Sequence, residues 1–170
     1  PISIGCDVSK SSQVGEAVRK TIETWGRIDF LINNAGISAT QAFARQDLSE
    51  IERILQPNLL GTLYATHAVL PHMNRQGSGH IVNVASIAGL LGLPYMAAYC
   101  ASKFAVVGFT QSLRAELYGS GITLTALCPG TVDTPMAAEP LRDAPLRRRI
   151  RPKSPQEVAE LIVRACVKKP

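Results

Sequence analysis

The chain has 170 residues, of which 46% are hydrophobic, and this is enough for one α/β domain with a substantial core. It has no run of the roughly 18 apolar residues that a membrane-spanning helix requires, and its first residues lack the basic and apolar segments of a targeting signal, so we expect a cytoplasmic protein without membrane contact. Much of the formal charge of +5 lies within residues 147–153, which carry no interleaved aromatic residues, and this pattern does not favour nucleic-acid binding.

The first elements alternate between short apolar runs and an amphipathic stretch. Residues 2–6 alternate as a strand does, and residues 11–25 have apolar side chains at helical spacing, ending at Gly26. Residues 28–32 form a second apolar run, which leads into the small polar turn of residues 33–36. A turn of this composition allows a ligand to approach the backbone.

A long helix is predicted over residues 47–73, and it contains a proline. Asp47 with Glu50 three residues later fits a helix N-cap. Pro57 removes a backbone hydrogen bond and costs a helix interior about 3 kcal/mol or more, so we expect a bend where Asn58 presents its amide. That amide either contributes to a site or satisfies the backbone at the bend.

The second half repeats the pattern of strand and helix. Residues 80–84 predict a strand, residues 97–117 a helix, and residues 122–128 a further strand, which ends at Pro129-Gly130. A last helix is predicted over residues 156–167, with Ser154 as N-cap and Pro155 at its first position.

Strands that alternate with helices of this length predict right-handed crossovers and a parallel sheet. In such sheets ligands bind beyond the carboxyl ends of the strands. Asp7, Asn33, Ser86 and Pro129-Gly130 all follow predicted strands, so we expect them on one rim of the sheet.

Tyr99 and Lys103 are four residues apart within a predicted helix, which places both side chains on one helical face. An ammonium beside a phenol favours the phenolate. The hydroxyl of Ser86 can donate to and accept from a substrate oxygen, so the three residues together indicate proton transfer at oxygen. The same spacing also occurs in ordinary exposed pairs, and only the shared rim favours catalysis.

The cysteines and histidines do not indicate a disulfide or a metal site. Neither residue type shows paired or metal-ligand spacing, so reduced thiols and no bound metal are expected for Cys6, Cys100, Cys128, Cys166, His67, His72 and His80.

Taken in order, several motifs resemble those of the short-chain dehydrogenase/reductase family, whose members are oxidoreductases with a Rossmann-type fold, a doubly wound parallel sheet. The matching motifs are Asn33-Asn34-Ala35-Gly36, Asn58 before Leu59-Leu60-Gly61, Ser86, Tyr99 with Lys103, and Pro129-Gly130 with Thr134. The resemblance implies interconversion of an alcohol with a ketone or aldehyde by hydride transfer to or from NAD or NADP, with NADP preferred.

The resemblance also implies roles for individual residues. Tyr99 would be the general acid or base, Ser86 would hold the substrate oxygen, Lys103 would lower the pKa of Tyr99, and Asn58 would support a proton relay through Lys103. Contacts with the cofactor are implied for Asp7, Val8, Asn33, Ala35, Tyr99, Lys103, Pro129, Gly130, Val132 and Thr134. Asn33 and Pro129-Gly130 have equally good structural explanations, and Asn83 is expected to be structural.

The chain departs from the family pattern in one respect: none of its glycines forms G-x-G-x-x-G. We therefore expect a single partial Rossmann domain over residues 1–170 that lacks the first two strands and the last strand of the family fold. In that arrangement residues 2–6 have no strand to pair with, residues 28–32 form a bare apolar edge, and the fragment alone is inactive.

Three further expectations follow from the resemblance. Residues 136–153 correspond to a variable substrate lid, so the identity of the small alcohol or carbonyl substrate stays open. The helices over residues 47–73 and 97–117 correspond to the surface through which such proteins form homodimers or homotetramers. The alternatives to a dehydrogenase are a catalytically inactive interaction module and an epimerase or dehydratase that uses the same tyrosine and lysine.

Overall fold

A computed structural model describes residues 1–138 and 151–168 as helices joined to a small sheet. The strands are β1 (Phe30–Asn33), β2 (Gly79–Val84) and β3 (Ile122–Leu127). The helices are α1 (Ser11–Trp25), α2 (Leu48–Leu55), α3 (Gly61–Gln76), α4 (Ala97–Glu116), α5 (Pro135–Ala138) and α6 (Pro155–Lys168).

The three strands form one parallel sheet in the order β1-β2-β3. Leu31 pairs with Ile81, and Ile81 pairs with Leu124, so the strands run in register across the sheet. The helical segments between them supply the crossovers that parallel neighbours require. This confirms the predicted α/β class with an incomplete, Rossmann-type parallel sheet.

The strand predicted over residues 2–6 is wrong: this segment has no regular structure. Alternation of apolar and polar residues permits a strand, but a strand also needs a neighbour for its backbone hydrogen bonds. Within residues 1–138 and 151–168, the sheet contains only the three strands named above, and none pairs with residues 2–6.

One face of the sheet packs against α3 and α4 and forms the main core. Its buried members come from both helices and from two strands: Val69, Met73, Ile81, Leu113, Ile122 and Leu124. Val18 of α1 packs at the margin of this cluster. Burial on this face positions the helix that carries Tyr99 and Lys103.

The opposite face is covered over β2, where α6 packs, and open at β1. Val82 at the centre is fully buried, whereas Phe30 and Ile32 on the edge strand are each 46% exposed. The predicted bare apolar edge is therefore present in the described structure.

The bend expected at Pro57 takes the form of a π-helical turn over Gln56–Leu60, between α2 and α3. A wider turn accommodates a proline that cannot donate a backbone hydrogen bond. The Asp47 side chain makes no capping hydrogen bond, so that part of the N-cap prediction is wrong, although Asp47 does precede the helix.

The predicted cap of the last helix is confirmed. The Ser154 hydroxyl accepts from the Glu157 backbone N–H at 3.1 Å, and the Glu157 carboxylate accepts from the Ser154 N–H at 2.6 Å. This reciprocal pair satisfies two N–H groups at the start of α6.

None of the helices in the described part of the chain is both long and apolar enough to cross a membrane.

Candidate active site

The segments that leave the three strands meet at one edge of the sheet. Beyond the strands, the Ala85 N–H donates to Leu127 O and the Ile87 N–H donates to Pro129 O, each at 2.8 Å. These bonds hold the loop after β2 against the loop after β3. Tyr99 and Lys103, on α4, reach the same edge.

Tyr99 and Ser86 form the polar centre of this edge. Burial raises the pKa of the Tyr99 phenol above its ordinary value, and a hydrogen bond between the phenol and the Ser86 side chain opposes this effect. The Ser86 oxygen also accepts from the Ala88 N–H at 3.1 Å, which holds the serine in place at the start of a short 3₁₀ turn. The phenol is therefore protonated at neutral pH.

Lys103 is a buried cation directed at the sheet. Its side chain is 5% exposed, and its Nζ donates to Val84 O at 2.9 Å and lies 5.8 Å from the centre of the Tyr99 ring. Burial lowers the pKa of the Lys103 ammonium to about 8, while the nearby Cys128 thiol opposes this shift.

That Lys103 lowers the pKa of Tyr99 stays a prediction, because the pKa of the phenol lies above its ordinary value here. The ammonium is bonded to a backbone carbonyl and lies over the ring, and burial of the phenol dominates the pKa of Tyr99.

Asn58 connects the loop after β1 to α4. Its Oδ1 accepts from the Ile37 N–H at 2.8 Å, and its Nδ2 donates to Ile37 O at 2.9 Å and to the Ser102 hydroxyl at 3.0 Å. The backbone carbonyl of Asn58 accepts from Thr62 Oγ1 at 3.1 Å. Its amide thus bonds outside the π-helical turn and does not satisfy the backbone of that turn.

Gly36 lies in van der Waals contact with this arrangement. A Cβ atom at Gly36 would stand 2.9 Å from Asn58 Oδ1 and 3.7 Å from Lys103 Nζ. The first distance is too short for a side-chain carbon, so the close approach of the loop to Asn58 and Lys103 requires glycine here.

A cavity of about 640 Å³ opens beside Tyr99 and Lys103. One wall is the open face of the sheet with Ile32 and Val84, and the opposite wall is α6 with Val158 and Ile162. Most of the lining is apolar, with a few polar groups at the rim, which is the usual composition of a small-molecule site.

A second cavity of about 170 Å³ is also lined by Tyr99. Apart from Tyr99 and the Gly130–Val132 segment, its lining consists of four apolar and two polar residues: Ile87, Leu93, Met96, Met136, Ser38 and Thr134. Tyr99 therefore lines both cavities.

The predicted cofactor residues divide into two groups. Pro129, Gly130, Val132 and Thr134 line the larger cavity together with Tyr99 and Lys103. The remaining predictions do not line it: Asp7, Val8, Asn33 and Ala35.

Asp7 and Val8 lie in the segment just before α1. Asp7 Oδ1 accepts from the Ser9 N–H at 3.0 Å and from the Ser9 hydroxyl at 2.6 Å, and these bonds lower the pKa of the carboxyl. Val8 packs where Gly61 leaves room: a Cβ at Gly61 would lie 3.0 Å from Val8 Cγ2. Both residues have local structural roles here.

Asn33 turns into the core face of the sheet. Its Nδ2 donates to Asn83 Oδ1 at 2.8 Å and to Thr66 Oγ1 at 3.2 Å, and Asn83 Nδ2 donates to Thr110 Oγ1 at 2.9 Å. This network links two strands to α3 and α4, as expected for a structural Asn83. The neighbouring Asn34, which was not predicted as a contact, lines the larger cavity.

The wall formed by α6 was also missed. Val158, Ala159, Ile162 and Val163 line the larger cavity. The sequence predicted a helix over residues 156–167 but gave no indication of what that helix covers.

Tyr95, the nearest alternative to Tyr99, is 65% exposed and has a positive φ of 63°. Its carbonyl accepts from the Gln41 N–H at 2.8 Å, a contact that holds two loops together. It lines neither cavity beside Tyr99.

The predicted lid over residues 136–153 falls mostly outside the described residues, since residues 139–150 are not described. Met136 lines both cavities, and Val132 pairs with Lys153 as an isolated parallel bridge. No group of three or more His, Cys, Asp or Glu side chains that could hold a metal ion occurs in residues 1–138 and 151–168.

Comparison with known proteins adds an independent finding. The sequence model of the family described as short chain dehydrogenase matches residues 2–144.

Individual relatives agree with this match. An uncharacterized oxidoreductase of Staphylococcus saprophyticus is 41% identical over 153 residues, which are 90% of this chain and 64% of the relative. A 2-(R)-hydroxypropyl-CoM dehydrogenase of Xanthobacter autotrophicus is 36% identical over 159 residues, 92% of this chain and 64% of the relative. A 3-oxoacyl-[acyl-carrier-protein] reductase of Synechocystis sp. is 37% identical over 166 residues, which are 95% of this chain and 66% of the relative. The chain thus spans less than two thirds of the length of these relatives.

Proposed function

Because the chain belongs to the short-chain dehydrogenase family, we propose that the full-length protein interconverts an alcohol and a ketone or aldehyde with NAD or NADP, using Tyr99 as the acid or base. Membership of this oxidoreductase family follows from the family-model match over residues 2–144.

The observation that carries this assignment is that Tyr99 lines both cavities, with its phenol bonded to Ser86 and the Lys103 cation over its ring. A reactant in each cavity would have the phenol within reach. No other titratable side chain among the described residues lines both cavities.

The raised pKa of Tyr99 suits proton donation. A phenol that stays protonated at neutral pH can give its proton to the oxygen of a carbonyl as that oxygen becomes an alcohol. The Ser86 hydroxyl, already bonded to the phenol, would hold the same oxygen. The phenolate left on Tyr99 would then be stabilised by the neighbouring Lys103 ammonium.

The larger cavity fits part of a nicotinamide cofactor. Gly36 leaves room for close approach, and Lys103, Thr134 and the backbone of Pro129-Gly130 offer polar groups along an apolar lining, as a flat ring with an attached ribose requires. The cofactor, when bound, supplies the hydride. Lys103 is the only basic side chain in the described lining, so the described residues fit the nicotinamide half better than the pyrophosphate.

The smaller cavity would receive the substrate. Its lining has no charged side chain among the described residues, which favours an apolar group next to the reacting carbonyl. Relatives are named as reductases of 3-oxoacyl groups and as dehydrogenases of 2-hydroxypropyl groups. Short ketones and 3-oxoacyl thioesters are therefore the first substrates to test.

The predicted homo-oligomer stays a proposal. Leu48 at the start of α2 is 79% exposed and Phe104 on α4 is 45% exposed, which is consistent with a contact between copies through the helices of residues 47–73 and 97–117.

The full-length protein is expected to oxidise NADPH or NADH when it is mixed with at least one member of a panel of short ketones, aldehydes and 3-oxoacyl thioesters. The measurement is the loss of reduced nicotinamide absorbance, with product identified by mass spectrometry. Controls omit the carbonyl or the protein. A folded protein that binds neither cofactor and consumes neither with any panel member would contradict the proposal and favour the interaction module.

A further inference from the structure

Ser102 lies on α4 between Tyr99 and Lys103, and its side chain is fully buried. Its hydroxyl donates to Tyr99 O at 2.6 Å and accepts from Asn58 Nδ2 at 3.0 Å. A serine hydroxyl has one proton, and here the proton is directed at a carbonyl that can only accept. The serine oxygen therefore faces Asn58 as an acceptor.

The remaining hydrogen-bonding groups of the Asn58 amide are bonded to the backbone of Ile37, with its N–H and its carbonyl at 2.8 and 2.9 Å. Asn58 is 1% exposed, so water does not compensate for a lost partner. Without the Ser102 oxygen, one Asn58 N–H would be buried and unpaired, which is costly enough to move the side chain.

These bonds set the gap between the loop after β1 and α4. We call the set formed by Ser102, Asn58 and Ile37 the Ser102 clamp. Gly36, next to Ile37, lies so close that a Cβ there would be 3.7 Å from Lys103 Nζ. The clamp thus holds the loop beside the lysine at one end and the backbone of the tyrosine at the other.

We propose that Ser102 is a positioning residue for the reaction: it holds Asn58 and the Gly36–Ile37 loop against α4, and so determines where Tyr99 and Lys103 stand relative to the larger cavity. The inference rests on the proposed function, because it assigns Ser102 to the same site. It adds a residue that touches neither cavity to the groups on which turnover depends.

Thr110 provides a matched control on the same helix. Its hydroxyl is also buried, donates to Val106 O at 2.7 Å and accepts from Asn83 Nδ2 at 2.9 Å. Ser102→Ala and Thr110→Val therefore each remove a buried hydroxyl that links a helix carbonyl to an asparagine amide. Of the two hydroxyls, only that of Ser102 lies beside Tyr99 and Lys103.

In the full-length protein, Ser102→Ala is expected to lower kcat about tenfold or more while the KM for the nicotinamide cofactor changes little, since small displacements of reacting groups are costly. Ser102→Thr should recover most of the rate, because the threonine hydroxyl can bond a carbonyl three or four residues back in a helix. Thr110→Val should keep the wild-type kcat, with a comparable loss of thermal stability. Equal kcat values for Ser102→Ala and Thr110→Val would overturn the proposal.

A second readout does not need turnover. In protein labelled with ¹³C at the tyrosine ring carbon that bears the hydroxyl, the Tyr99 signal, assigned with Tyr99→Phe, should shift or broaden in Ser102→Ala and stay in place in Thr110→Val. Should Ser102→Ala not fold, Ser102→Cys replaces it, since a thiol of similar size bonds only weakly. An unmoved Tyr99 signal in the folded Ser102 variant would refute the positioning role. Failure of the proposed function looks different: turnover would then survive Tyr99→Phe.

Discussion

Tyr99→Phe in the full-length protein is expected to lower kcat by a factor of about 10² to 10⁴, the range that a positioned general acid contributes. The substitution removes the oxygen that bonds Ser86 and leaves the ring, which lines both cavities. Cofactor binding should therefore persist. The measurement combines initial rates of NADPH or NADH consumption with a fluorescence titration of the cofactor.

Tyr95→Phe is the matched control for this prediction. Tyr95 stands one helical turn before Tyr99 in the sequence, is 65% exposed and lines neither cavity. The Tyr95→Phe variant should turn over substrate at the wild-type rate. If Tyr95→Phe were the slower variant, or if Tyr99→Phe kept full activity, the assignment of the acid would be wrong.

Lys103→Met is expected to stabilise the fold at neutral pH while it lowers turnover about a hundredfold or more, the lower end of the range expected for a group that takes part in proton transfer. Burial lowers the pKa of Lys103 from 10.5 to about 8, so holding the charge at neutral pH costs the folded state roughly 3 kcal/mol at 1.36 kcal/mol per pKa unit. Methionine has similar length and no charge. Val84 O loses its donor, at a cost of about 1 kcal/mol or more, so a net gain of about 1 to 2 kcal/mol remains.

The stability difference between Lys103→Met and wild type should depend on pH. Between pH 8 and 10.5 the unfolded wild-type chain binds more protons at Lys103 than the folded chain does, so this lysine makes stability rise with pH across that window. Above pH 10.5 Lys103 is neutral in both states and does not destabilise the folded chain, whereas below pH 8 the full destabilisation by its buried charge applies. The difference between variant and wild type should therefore shrink from pH 7 to pH 9.5.

Urea unfolding at several pH values measures this difference, with Lys20→Met as control, because the Lys20 side chain is 50% exposed on α1. A Lys103→Met protein that is less stable than wild type at pH 7, or a difference that does not change with pH, would show that burial does not penalise this lysine. The pH range stops below the region in which Tyr99, whose pKa is raised, begins to ionise.

The helices were predictable because each depends on local periodicity. The apolar spacing in residues 11–25 and 97–117, the N-cap at Ser154 and the break at Pro57 are all features of neighbouring residues, and the structure has helices or a π-helical turn at each. The strand predicted over residues 2–6 failed for the opposite reason. Alternation describes one strand, whereas a sheet requires a second strand at a suitable place.

The site could be predicted only in its residue types. Ser86, Tyr99 and Lys103 carry recognisable chemistry, and the parallel sheet places them on one rim. Their partners are long-range: Asn58 bonds Ile37, 21 positions earlier, and Ser102, 44 positions later. No local pattern indicates such contacts.

The pKa of Tyr99 also depends on tertiary structure. The spacing of Tyr99 and Lys103 suggested an acidified phenol, but burial raises the pKa of the phenol, and Lys103 Nζ donates to Val84 O. For Asn33 and Asn34, adjacent residues in one motif, only the fold decides which side chain enters the core and which lines the cavity.

Transfer of deuterium from the cofactor tests the central claim most directly. The full-length protein would be incubated with a carbonyl compound that it turns over and with reduced nicotinamide cofactor labelled at one of the two C4 positions. We expect one of the two labelled forms to place deuterium on the carbon that becomes the alcohol, with the oxygen-bound hydrogen coming from solvent through Tyr99. Product that carries no deuterium from either form would contradict direct hydride transfer and with it the role given to the whole site.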